Sequence, residues 1–198
     1  MNASDIEKQF EEFERFIDDF VNESERAAVV IGCAKLDSLL LQILSKVLIA
    51  PTTADDPFLE GGTAPLGTFS SRINACYRIG LIDAPLSRAL HLLRKIRNDF
   101  AHESFSISLA EPRYTDRVRE LIAPFKDGKE FTYFRRTYFY EDNNIVADFL
   151  TALSMVMLRL NNLLEIAKSP SCIPLATIVH NDPLSRLVDL TPVDLKSK

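Results

Sequence analysis

The chain has 198 residues, enough for one domain with a proper core, and 46% of them are hydrophobic, which excludes general disorder. A net charge of −5 excludes nonspecific nucleic-acid binding over a whole face, while leaving room for local basic patches. Ten prolines against six glycines predict helices separated by proline-punctuated loops rather than a turn-rich sheet.

In chain order, residues 4–21 repeat apolar side chains at Ile6, Phe10, Phe13, Ile17 and Phe20, a single narrow helical stripe. Ser24 then caps a second helix, from residue 25 to about 49, which Pro51 ends. A loop rich in Thr, Asp, Gly and Pro follows over 51–65. A third helix over 68–79 stops at Gly80, and Asp83 caps a fourth, with Pro85 in its first turn, running to His102. Residues 104–128 carry a weaker pattern, with short helices around 112–123. The aromatic stretch 130–141, with Phe131, Tyr133, Phe134, Tyr138, Phe139 and Tyr140 around Arg135 and Arg136, reads as a hairpin or an extended connection. Asp142 or Asn143 opens a last long helix to about Lys168, apolar around most of its circumference and therefore central. Past it, Pro170, Pro174, Pro183 and Pro192 space short apolar runs. The expectation is an all-α single-domain bundle of about five main helices over residues 1–168, with an extended arm over 169–198.

The second helix holds the first anomaly. Cys33, Asp37, Leu40 and Leu44 share one face, so Asp37 places a carboxylate in the most apolar stripe of the chain. A buried carboxylate needs a cation, and Arg72 and Arg97 are the candidates for a structural ion-pair network. Arg97 belongs to the run Arg97-Asn98-Asp99-Phe100-Ala101-His102, which closes the fourth helix. Asn98 and His102 are four apart and share a helical face. Arg97 and His102 are five apart, about 140° around a regular helix, and converge only if the helix unwinds near Phe100.

Two resemblances arise at these residues. Pro65-Leu66-Gly67-Thr68-Phe69-Ser70-Ser71-Arg72-Ile73, then Tyr77-Arg78-Ile79-Gly80-Leu81-Ile82, then the Arg97–His102 hexad, together with Leu36-Asp37-Ser38-Leu39-Leu40, resemble the mannitol operon repressor family. The likeness covers residues 27–102 and extends loosely to 148–165. It implies an all-helical transcriptional regulator that has no DNA-reading motif of its own and acts through protein partners. The hexad is also similar to the Arg-x4-6-His motif of HEPN domains, some of which are metal-independent ribonucleases. That likeness implies Arg97 on the scissile phosphate, His102 as general acid or base on the ribose 2′-hydroxyl, and Asn98 orienting both.

The first resemblance is taken as the working expectation: a non-catalytic interaction module in which Arg97 and His102 serve the fold, with the ribonuclease as the alternative. No helix-turn-helix signature is evident, so direct DNA binding is not expected, and RNA enters only under the alternative. The aromatic segment with Arg135 and Arg136 has the composition of a single-strand surface, although such rings more often pack on a core. His91 and His180 lack acidic or cysteine neighbours at ligand spacing, and Gly61-Gly62 is no phosphate loop, so neither metal nor cofactor is expected. Cys33, Cys76 and Cys172 are far apart, as in a reducing compartment. The acidic start is unlike a signal peptide, and Lys35, Asp37, Gln42 and Lys46 interrupt the longest apolar run, so a cytoplasmic protein without membrane spans is expected. The apolar stripe of residues 6–20 and the proline-spaced tail point to a homodimer.

Overall fold

The structure is a computed structural model, which describes Ile17 and residues 23–103, 107–139 and 144–169. The chain divides into two units, Met1–Lys168 and Ser169–Lys198. The expected arm beyond Ser169 and the expected helix over 4–21 lie outside the described residues, Ile17 excepted; Ile17 is helical and buried.

The described residues form an all-α bundle of six helices: α1 (Glu25–Val47), α2 (Phe69–Arg78), α3 (Ala84–His102), α4 (Pro112–Ile122), α5 (Lys129–Phe139) and α6 (Ile145–Ile166). Local chemistry sets most of their ends. The Ser24 hydroxyl accepts from Ala27 N–H at 3.2 Å and opens α1. Thr68 and Ser71 form a capping box on α2, and Asp83 accepts from Leu86 N–H at 2.9 Å to open α3. Gly80, at φ +78°, makes the left-handed reversal between α2 and α3 that a side chain would disfavour.

α1 and α6 form the centre. α1 packs on α2, α3 and α6, while α6 packs on α1, α3, α4 and α5. Their C-terminal ends meet where Lys46 Nζ donates to the Leu164 carbonyl at 2.7 Å, placing a cation on the last turn of α6. Both helices are long and apolar enough to cross a membrane by length and composition, and half of each apolar window is buried inside the bundle. At the other end of α1, Glu25 accepts from Leu109 N–H at 2.8 Å and from the Ser108 hydroxyl at 3.1 Å, which holds the approach to α4.

The aromatic stretch departs from expectation, because residues 129–139 are helical rather than a hairpin or extended connection. Aromatic rings favour strands only weakly, and burial overrides that preference. Phe131 and Phe139 are buried, and Phe134 and Tyr138 pack against the core. Arg135 Nε donates to Asp148 on α6 at 2.8 Å, fastening α5 to the centre.

The α3–α4 contact is aromatic. Phe100 and Tyr114 are both fully buried, with ring centroids 5.2 Å apart in an edge-to-face arrangement. The guanidiniums of Arg113 and Arg117 lie 4.6 and 5.7 Å from the Tyr114 ring. Among the described residues the buried Tyr114 hydroxyl has no hydrogen-bond partner, so none of them replaces the hydration it loses on folding. Tyr114→Phe is therefore expected to unfold at a denaturant midpoint equal to or above the parent's, whereas Phe100→Ala loses about 3–5 kcal/mol by opening a cavity. A Tyr114→Phe midpoint clearly below the parent's would show that the hydroxyl does stabilise the fold.

Candidate functional site

The Asp37 anomaly resolves on Arg72. Arg72 projects from the first turns of α2, is 9% exposed, and donates from Nη1 to Asp37 Oδ1 at 2.8 Å. Its Nε donates to the Leu66 carbonyl at 2.9 Å, and its Nη2 to the Leu59 carbonyl at 3.2 Å. One guanidinium thus joins α1, α2 and two points of the connection before α2. That connection closes tightly, since a Cβ on Gly67 would stand 2.7 Å from the Gly61 carbonyl oxygen and 3.1 Å from that of Ala64. The Asp37 side chain keeps 26% of its surface exposed, so the pair sits at the margin of the core rather than in its depth.

Arg97 is not part of this network. Its guanidinium lies 5.9 Å from the Phe69 ring centroid, it forms no ion pair among the described residues, and its buried Nε has no hydrogen-bond partner. The reason is positional. Phe69 fills the space beside Arg97 at the start of α2, while Arg72, almost one turn further on, faces Asp37 directly. Arg97 still acts electrostatically, because its positive charge favours the ionised form of the Cys33 thiol. Burial outweighs it, and pushes that thiol up to about 12. Cys76 is likewise pushed up to about 12 by burial, so both thiols are protonated and inert at neutral pH.

The hexad at the end of α3 does not assemble a catalytic pair within the chain. The helix runs unbroken through Phe100 to His102, and the Glu103 N–H closes it on the Asp99 carbonyl at 3.0 Å. With no unwinding, Arg97 and His102 keep their separation of about 140° around the axis. Arg97 and Asn98 are half-buried, and His102 is exposed on the last turn. His102 therefore does not serve the packing, contrary to the expectation that both it and Arg97 do. Asp99 accepts from Arg117 Nη1 on α4 at 2.6 Å, and Phe100 is the buried ring beside Tyr114. Among the described residues, no group of three His, Cys, Asp or Glu side chains is placed to hold a metal ion.

The basic run Arg94, Lys95 and Arg97 is visible in the sequence, and the structure adds the wider face to which Arg94 and Lys95 belong. Arg88, His91 and Lys95, spaced i, i+3 and i+7, line the outer side of α3 with Arg94 beside them. The His91 ring meets the Asn74 side chain at 3.0 Å, and its pKa is lowered by burial first, then by the nearby charges of Arg94, Lys95 and Arg88. The helical spacing of four basic side chains was the available signal.

Removing the Asp37 carboxylate strands a largely buried guanidinium that retains only two carbonyl acceptors. Asp37→Ala is expected to cost about 3 kcal/mol in denaturant unfolding, the low end for a broken buried pair because Asp37 is partly hydrated. An unchanged midpoint would remove the pair from any structural role. Comparison of the chain with family models, curated proteins and solved structures finds no match.

Proposed function

We propose that this chain is a non-catalytic regulatory module of the mannitol operon repressor type, cytoplasmic, homodimeric and acting through a protein partner. The observation that carries this reading is the fate of the hexad. Asp99 braces α4 through Arg117, Phe100 fills the α3–α4 contact, and Arg97 leans on Phe69. His102 faces away from Arg97 across an unbroken helix. A phosphate-holding arginine and a proton-transferring histidine must reach one scissile bond, and these two diverge within the chain. The acidic net charge agrees with a partner other than bulk nucleic acid.

The test separates regulator from ribonuclease. The purified parent, incubated with single-stranded RNA in chelator, is expected to leave the RNA intact. His102→Ala should keep the parent's melting midpoint, because the ring is exposed, while Asp99→Ala should lower the midpoint through the loss of up to about 1 kcal/mol of stability from the part-exposed pair with Arg117. Chelator-resistant cleavage that disappears in a folded His102→Ala variant would replace this reading with the nuclease.

Sedimentation equilibrium at high micromolar concentration should give a mass about twice the 22.4 kDa of one chain. A mass of one chain would remove the homodimer from the proposal.

A further inference from the structure

α2 and α3 form an antiparallel hairpin whose outer face differs in charge from the protein as a whole. The pairing is fixed at two points: Phe69 faces Arg97, and Asn74 bonds His91. Between them Gly80 turns the chain back. The sides of both helices that do not pack inward lie together as one surface. From α2 it presents Asn74, Tyr77 and Arg78, all exposed, and α2 contains no acidic residue. From α3 it presents Arg88, His91 and Lys95, with half-buried Arg94 alongside.

These cations are not neutralised from within. Among the described residues, Arg78, Arg94 and Lys95 form no ion pair, and the buried Arg94 Nε has no hydrogen-bond partner. Only Arg88 is engaged, its Nε donating to Glu120 at 2.7 Å. The titration of His91 is lowered by burial first, with the charges of Arg94, Lys95 and Arg88 adding to it. In a chain of net charge −5, a face that gathers arginine and lysine without carboxylates beside them attracts anions. Apolar surface adjoins the cations: Tyr77 is 44% and Ile79 53% exposed, in a bundle that buries most of its large apolar side chains.

We propose that this face docks an acidic amphipathic helix of a partner protein, whose carboxylates meet Arg78, Arg94 and Lys95 and whose apolar side chains cover Tyr77 and Ile79. The inference rests on the reading of the chain as an interaction module and names the surface that reading requires. Tyrosine and arginine at the centre of a patch are the residue types that dominate protein interfaces. A polyphosphate chain fits less well. Three free cations fall short of the six or more phosphate contacts typical of tight nucleic-acid binding. On the α4 side the face is bordered by the ion pairs Arg88–Glu120, Asp99–Arg117 and Glu103–Arg113, so no free cation extends it there. A helix of limited length, with its negative charge confined to one stripe, stays inside that border.

The experiment uses the full chain and a fluorescent synthetic amphipathic peptide as long as α3, glutamate on its polar face and leucine and phenylalanine on the other. A second peptide carries glutamine for glutamate, and unlabelled single-stranded RNA serves as competitor. Anisotropy titration is expected to show binding of the glutamate peptide that weakens with salt, with the glutamine peptide about tenfold weaker. The double variant Arg94→Glu, Lys95→Glu should weaken binding at least about tenfold, and Tyr77→Ala several-fold. Lys126→Glu, Lys129→Glu, on exposed residues around the start of α5, should change it less than about twofold. Circular dichroism confirms that each variant is folded; if the double variant is not, the single Lys95→Glu change, at an exposed position, carries the same comparison.

Equal binding of the two peptides, binding untouched by the charge reversals, or no peptide binding at all overturns the proposal. RNA that displaces the peptide and binds the same face reassigns the surface to nucleic acid. The state of the RNA tells the two failures apart. Intact RNA with no peptide binding removes this surface alone, whereas cleaved RNA removes the regulatory reading beneath it.

Discussion

The arrangement of the first half of the bundle hangs on one guanidinium. Arg72 is largely buried and too strongly basic to lose its proton, so most of its donors must find acceptors inside the protein. It finds the Asp37 carboxylate on α1 and the carbonyls of Leu59 and Leu66 in the connection between α1 and α2. Such a pair adds little net stability over an apolar substitute, but it tolerates few geometries. Shifting α2 along α1 by a single turn would strand both charges. The connection is held by the same constraint, with Leu59 buried beneath it and Asp56 accepting from the Phe58 and Leu59 N–H groups. A connection of this length without regular structure needs such anchors to stay in place.

With α2 set on α1, α3 follows by antiparallel packing, and its two sides take different tasks. The inner stripe of Ala89, Leu93, Ile96 and Phe100 joins the core. The final turn braces α4 through Asp99–Arg117 and the Phe100–Tyr114 ring contact. The outer side keeps its cations in solvent. Because α3 stays regular to His102, Arg97 and His102 remain about 140° apart on it.

The second half of the bundle repeats the principle in another form. Arg135 is largely buried and pairs with Asp148, so α5 is fixed on α6 by a cation at the margin of the core, as α2 is fixed on α1. In both places an arginine beside apolar surface selects one register among several that hydrophobic burial alone would allow. Elsewhere the fit is looser in its polar details. Among the described residues the buried hydroxyls of Tyr114 and Ser154 have no partners, while Thr151 on α6 satisfies itself on the Ala147 carbonyl at 2.7 Å.

What the sequence by itself determined was local. Ser24, Thr68, Gly80 and Asp83 mark helix ends because a cap or a left-handed turn involves only neighbours within about four residues. The apolar stripes of α1, α3 and α6 were readable for the same reason, since helical period alone decides which side chains share a face. Asp37 announced a cation because a carboxylate on that stripe cannot be left alone. Tertiary structure decided which cation, since where α2 lies across α1 brings Arg72 to Asp37, while Arg97 meets the Phe69 ring. It also decided that the aromatic residues of 129–139 coil into a helix, because burial against α6 outweighs a β preference of about 1 kcal/mol or less. The hexad followed the same rule. Its six residues are contiguous on one helix, so the 140° between Arg97 and His102 follows from helical geometry, whereas the partners of Asp99 and Phe100 lie on α4, a separate helix, and no local pattern encodes which residues of another helix they meet.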